Sequence, residues 1–189
     1  YYAGAALTTG GGTFIGGKAG EHTTTGSGLV AVGKDALKAN TTGSSNVAVG
    51  DNSLAATTTG QYNTALGTNA GDSITTGGQN VCIGTNAGST FTTVSHCVYI
   101  GKDSGQLATG NGNTGVGLDS LRGATGASNT SLGRGAGEDL TSGSNNLILG
   151  AFAEASAADV SNEITLGDSN ITKFRIPGLN FSIKDSTAT

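Results

Sequence analysis

What the sequence lacks narrows its class first. Charged residues make up 12% of the chain, the net charge is −4, and the mild acidity is spread along its length. There is no basic patch or stripe of the kind that binds nucleic acid. No apolar run approaches the ~20 residues of a membrane-spanning helix. Tryptophan and methionine are missing, proline occurs once, and 34 of the 189 residues are glycine. Glycine-rich, weakly charged sequence of this kind is disordered when it has no period. No signal peptide opens the chain, which starts in mid-pattern at Tyr1 and Tyr2, as expected of a fragment or a processed product.

The period is what the chain does have. Thr41 to Gly50 reads TTGSSNVAVG and Thr58 to Gly67 reads TTGQYNTALG. The closing glycines recur at Gly16, Gly33, Gly50, Gly67, Gly84, Gly101, Gly117, Gly133, Gly150 and Gly167, in steps of 17 residues with two steps of 16. A fixed short period over a whole chain is the signature of a solenoid, and a strict register argues against disorder.

The columns of the repeat say what each position needs. Before each glycine stands a large aliphatic: Ile15, Val32, Val49, Leu66, Ile83, Ile100, Val116, Leu132, Leu149 and Leu166. Two residues earlier come Thr13, Val30, Val47, Thr64, Val81, Val98, Thr114, Thr130, Leu147 and Ile164. A spacing of two puts both columns on one face of a strand, and β-branched residues suit a pleated strand. Between them runs an uncharged column of mostly small residues, Phe14, Ala31, Ala48, Ala65, Cys82, Tyr99, Gly115, Ser131, Ile148 and Thr165. Next to it lies an asparagine column at Asn46, Asn63, Asn80, Asn113, Asn129 and Asn146.

A coil of 17 residues is small. Its two aliphatics, with alanine and glycine, are expected to make a thin core, and a repeat array draws stability from its interfaces. The uncharged second face is therefore expected to be covered by another chain, in a closed homo-oligomer whose chains pack flank to flank. At ~4.8 Å per coil, ten coils make a rod roughly 50 Å long. A Thr or Ser column at Thr8, Thr25, Thr42, Thr59, Thr76, Thr93, Thr109, Thr125 and Ser142, usually followed by glycine, marks the second turn. The two short repeats lose their residue at a loop, since a loss within a strand would flip its faces. Residues 1–167 form the repeat domain. The repeat decays after Gly150, and residues 168–189, with the lone Pro177, are expected to form a strand-like neck leading to a module that the chain does not contain.

Phrases such as NVAVGDNSL, NTALGTNAG and NVCIGTNAG resemble the head repeats of trimeric autotransporter adhesins and the same repeats in phage tail fibres. The resemblance covers roughly Gly12 to Gly167, and NEITLGDSNITKFRIPGLNFSIKD is similar to the junction that ends many tail-fibre shafts. It implies three parallel left-handed β-rolls around a threefold axis. The longer period, and the absence of a membrane-anchor barrel or coiled-coil heptads, favour the tail-fibre side of the resemblance.

Each candidate for chemistry has a structural reading beside it. Cys82 and Cys97 sit in adjacent coils at different columns, too far apart for a disulfide within the chain. They read as two buried thiols, with an interchain bridge as the alternative. His22 and His96 lack the clustered partners of a metal site. The column Asp35, Asn52, Asn69, Asn86, Asp103 and Asp119 lacks the G-G-x-G-x-D-x-U-x pattern of calcium-binding rolls and reads as turn capping. The thirteen carboxylates are scattered, and no pair stands out for glycoside hydrolysis. The threonines raise ice binding, but reliable pairs such as Thr41-Thr42 are adjacent and face opposite ways when extended.

The sequence thus reads as an all-β parallel solenoid of about ten coils, assembled as a homotrimer. It is not an enzyme, needs no cofactor or metal, and binds no nucleic acid. It serves as a structural and adhesive part of a virion tail fibre, or alternatively of an extracellular surface filament. Its partners are itself, adjoining fibre modules and a host-surface receptor or glycan, and symmetry-related sites raise avidity. Tyr62, Phe91, Arg122 and Phe152, outliers in variable turns, are the candidate receptor contacts.

Overall fold

The computed structural model describes residues 3–175. They form ten short strands: β1 (Gly11–Ile15), β2 (Ser27–Val32), β3 (Val47–Val49), β4 (Thr64–Leu66), β5 (Val81–Ile83), β6 (Val98–Ile100), β7 (Thr114–Val116), β8 (Thr130–Leu132), β9 (Leu147–Leu149) and β10 (Ile164–Leu166). All pair in parallel, in chain order, as one ten-stranded sheet. Each residue lies beside its counterpart one period on, as Val47 beside Thr64 and Val49 beside Leu66. No helix occurs among the described residues. The chain is a parallel β-solenoid, as its period requires.

Each strand stops at its glycine for a steric reason. Gly84 has φ +128°, and a Cβ there would lie 2.5 Å from the carbonyl oxygen of Gly101 in the next coil. Only glycine allows that backbone and that approach. Two residues past the glycine the chain enters the left-handed region at Asp35, Asn52, Asn69, Asn86, Asp103 and Asp119, with φ between 55° and 57°. Asn and Asp tolerate this conformation better than other side chains.

The interior overturns the expected arrangement of the strand faces. It is the mostly small column that points inward: Ala31, Ala48, Ala65 and Tyr99 are 0% exposed. The aliphatic columns point out, with Ile15 58%, Leu66 48% and Leu132 53% exposed. The cause is volume. A coil this short encloses one narrow channel, and each coil from Gly33 to Gly150 fills it with one large apolar side chain, in turn Leu37, Leu54, Ile74, Phe91, Tyr99, Leu121, Leu140 and Ile148. Leu29 adds a second in the first of these coils.

That large residue moves between positions, and its neighbours shrink to match. Phe91 sits over Gly88, where a Cβ would come within 2.5 Å of the ring, and Tyr99 over Gly105, where the distance would be 2.3 Å. Where leucine takes the glycine position, at Leu37, Leu54 and Leu121, it accepts φ near 50°. This is rare for a bulky residue and is held here by complete burial. The result is close packing of the interior with one part per layer.

The asparagine column lies inside too and forms a ladder. The Asn63 side-chain amide donates to Asn46 Oδ1 at 3.2 Å and to the Gly77 carbonyl at 2.9 Å, while its own Oδ1 accepts from the Asn80 backbone at 3.1 Å. The same pattern links Asn129 to Asn146 and ends where the Glu163 backbone donates to Asn146. One rung differs. Cys97 occupies the asparagine position; its backbone donates to Asn80, and its thiol donates to the Gly110 carbonyl at 3.4 Å.

The two short coils hold their strand register, with Val98 beside Thr114 and Thr114 beside Thr130. Their missing residue belongs to the corner where other coils carry two threonines, so that Ala108-Thr109-Gly110 replaces Asn40-Thr41-Thr42-Gly43. At the C-terminal end, residues 171–175 are exposed and form no strand, and Ile176, Pro177 and the rest of the expected neck lie outside the described residues.

Candidate interaction surface

Among the described residues, one extended feature of the surface is the outer face of the sheet. It carries two aliphatic columns, with threonine at Thr13, Thr64, Thr114 and Thr130 the only polar members, and none of its twenty positions is charged. With strands ~4.8 Å apart, the face covers roughly 500 Å². A monomer tolerates a largest apolar patch of about 300–600 Å², usually a functional one. This one is continuous from β1 to β10.

The sequence reading missed which way this face points. Alternation identifies two faces but does not say which is inside, and greater hydrophobicity usually decides it. The signal that decides it here is compensation. Gly88 with Phe91 and Gly105 with Tyr99 trade volume within a coil, which only residues sharing an interior need to do.

The four candidate contacts divide. Tyr62 is 60% exposed and Phe152 is 52% exposed, with the Arg134 guanidinium 5.0 Å over the Phe152 ring. Arg122 is half-buried; it donates to Gln106 Oε1 at 3.3 Å and lies 3.8 Å from Glu138. Phe91 is not a contact. It is buried and packs at 5.9 Å against Tyr99. Its place in a variable turn made it look like an outward outlier, whereas Gly88 beneath it gives it room inside.

The remaining polar columns hold the coils together. Asn52 donates to Asn69 at 3.4 Å, Asn69 to Asn86 at 3.2 Å, and Asn86 to Asp103 at 2.9 Å. Burial alone would raise the Asp103 carboxyl, but hydrogen bonds from Lys102 and Asn86 outweigh it and hold it below the usual carboxylate range. The corner hydroxyls of Thr24, Thr41, Thr58 and Thr75 donate to carbonyls of the next coil at 2.9–3.3 Å. One of the two threonine columns that an ice-binding face needs is therefore engaged within the chain.

Cys82 and Cys97 are buried and free, and burial pushes both thiols up. His96 is exposed in a left-handed turn, and His22 lies near Glu21. Among the described residues, no group of three or more His, Cys, Asp or Glu side chains is placed to hold a metal ion.

The surface thus combines an uncharged aliphatic sheet face with scattered exposed aromatics. Compared with known proteins, the chain matches no family model, no curated protein and no solved structure, so its fold rests on the coordinates alone.

Proposed function

We propose that this chain is a structural and adhesive segment of a homotrimeric fibre of the phage tail-fibre kind, which mediates or supports attachment to a host cell surface. The observation that carries the reading is the outward aliphatic face. Three chains placing that face about a common axis take about 500 Å² of uncharged surface each out of water, on the order of 1,500 Å² in all. Closed rotational symmetry leaves no sticky face over.

In this reading the coils are left-handed, the rods lie parallel, and each outward site occurs three times, which multiplies weak contacts into avidity. Tyr62 and Phe152 supply the exposed aromatic contacts for a receptor or glycan. The same assembly serves a bacterial surface filament, and which particle carries it does not change the physics.

The test is the mass of the particle in solution by light scattering at several concentrations. A mass of three chains that does not change with dilution is expected. Leu66→Lys with Leu132→Lys places charge in the face and is expected to give folded single chains. A stable monomer of the native chain overturns the reading.

A further inference from the structure

We propose that the four threonines of the outer face, Thr13, Thr64, Thr114 and Thr130, set the axial register and the direction of the assembled chains. The inference rests on the assembly reading above, whose occupant for this face is further copies of the same chain.

These threonines replace valine or a larger aliphatic in a column that is otherwise apolar. Valine and threonine have nearly the same shape, so the substitution changes polarity and leaves packing alone. Their hydroxyls make no hydrogen bond within the described residues, unlike the corner threonines, whose hydroxyls donate to the next coil. A hydroxyl sealed against aliphatic surface is left unsatisfied, whereas hydroxyls at equal height on neighbouring chains bond one another. In a parallel rotational assembly every residue meets its own copies at its own height. All four threonine layers are then matched.

The spacing of the four defeats the alternatives. They fall in the first, fourth, seventh and eighth coils. A slip of one coil pairs Thr114 with Thr130 but sets Thr13 against Val30, Thr64 against Val81 and Thr130 against Leu147. A slip of three pairs Thr13 with Thr64 and Thr64 with Thr114, sets Thr114 against Ile164, and leaves Thr130 beyond the end. Reversing one chain pairs Thr64 with Thr114 but sets Thr13 against Ile164 and Thr130 against Val47. An all-aliphatic face has no such preference, because each coil repeats the last and a slipped interface packs almost as well. A single polar group in an apolar seam fixes register in coiled coils by the same logic.

The experiment uses the full chain with Ser45→Cys, an exposed position beside the face, carrying a spin label. The native thiols are buried and are not labelled. Distances between labels are measured in the assembled particle, and its mass is measured in parallel. The native sequence is expected to give one distance peak. Changing the four threonines to valine is expected to keep the three-chain mass and add peaks, since a three-coil slip displaces a label by about 14 Å and a reversal by about 24 Å. Changing them to serine keeps the hydroxyls and is expected to restore the single peak. A single unchanged peak in the valine variant overturns the proposal, as do several peaks in the native protein. A native chain that is monomeric overturns the assembly reading itself, and the mass alone reports that outcome.

Discussion

The two faces of β6 make the comparison on which the molecule turns. Tyr99 points in and is 0% exposed, while its neighbour Ile100 points out and is 36% exposed. Both are apolar and adjacent, yet one fills a layer of the rod and the other faces solvent. In a wide domain the greasier column goes inside. In a coil of this length the interior holds one large side chain in most layers and two where Leu29 joins Leu37, so surplus aliphatics are forced outward. What lies inside is decided by volume first and by hydrophobicity second.

The sharpest way to break that comparison is to truncate each neighbour in turn. Tyr99→Ala removes the only large residue of its layer and is expected to cost about 3–5 kcal/mol. Ile100→Ala is expected to cost less than about 1 kcal/mol to the coil itself. Guanidinium unfolding of the two variants, compared at matched mass by light scattering, reads the difference. Equal losses would mean that the outer column supports the fold as much as the inner one.

The ladder comes next in size. Asn63→Ala strips an acceptor from Asn80 and a donor from the buried Gly77 carbonyl. A loss of about 2–3 kcal/mol is expected, because partners are left buried and unpaired. The converse change is Cys97→Asn, which would place an acceptor below Asn113 and an amide donor near the Gly110 carbonyl. It is expected to gain up to about 1 kcal/mol. A loss there would show that the layer of Tyr99 has no room for the amide.

The smallest effect is at the C-terminal coil. Glu163 accepts from the Ser156 hydroxyl, from the Ser156 backbone at 2.8 Å and from Thr165 at 2.9 Å, and these bonds hold its carboxyl below the usual range. A carboxyl depressed in the folded state stabilises above its unfolded pKa, and that contribution is lost as pH falls through the folded value. The protection of the Ser156 amide, measured against its intrinsic exchange rate at each pH, is expected to fall on acidification through that range, and Glu163→Gln is expected to flatten the profile. Unchanged protection in both would remove Glu163 from the closure of that end.

Much of the fold was legible in the residues. The ten glycines gave the period, β-branched columns gave the strands, and the lost residues of the short coils fell at the threonine corner, where a loop absorbs them. The Asx column proved to combine left-handed turns with a side-chain ladder. The polarity of the sheet was not legible from alternation, since both faces of the strand lack charge. Phe91 was misread for a related reason: a large residue in a column of smaller ones looks like a surface outlier until Gly88 beside it is counted. Tyr62 and Phe152 do reach solvent, at turn positions with φ 59° and 55° and with 60% and 52% of their surface exposed.

The rung at Cys97 has a mechanical consequence. Hydrogen bonds between successive coils run along the rod, so an axial pull loads the junctions in series. A series fails at its weakest link. From Asn46 to Asn146 the asparagine ladder ties layer to layer through side-chain oxygens, but between Cys97 and Asn113 that oxygen is replaced by sulfur. Among the coils from Asn46 to Asn146, the junction after Cys97 is therefore the one expected to open first under axial tension, and force spectroscopy on Cys97→Asn is expected to remove that first step.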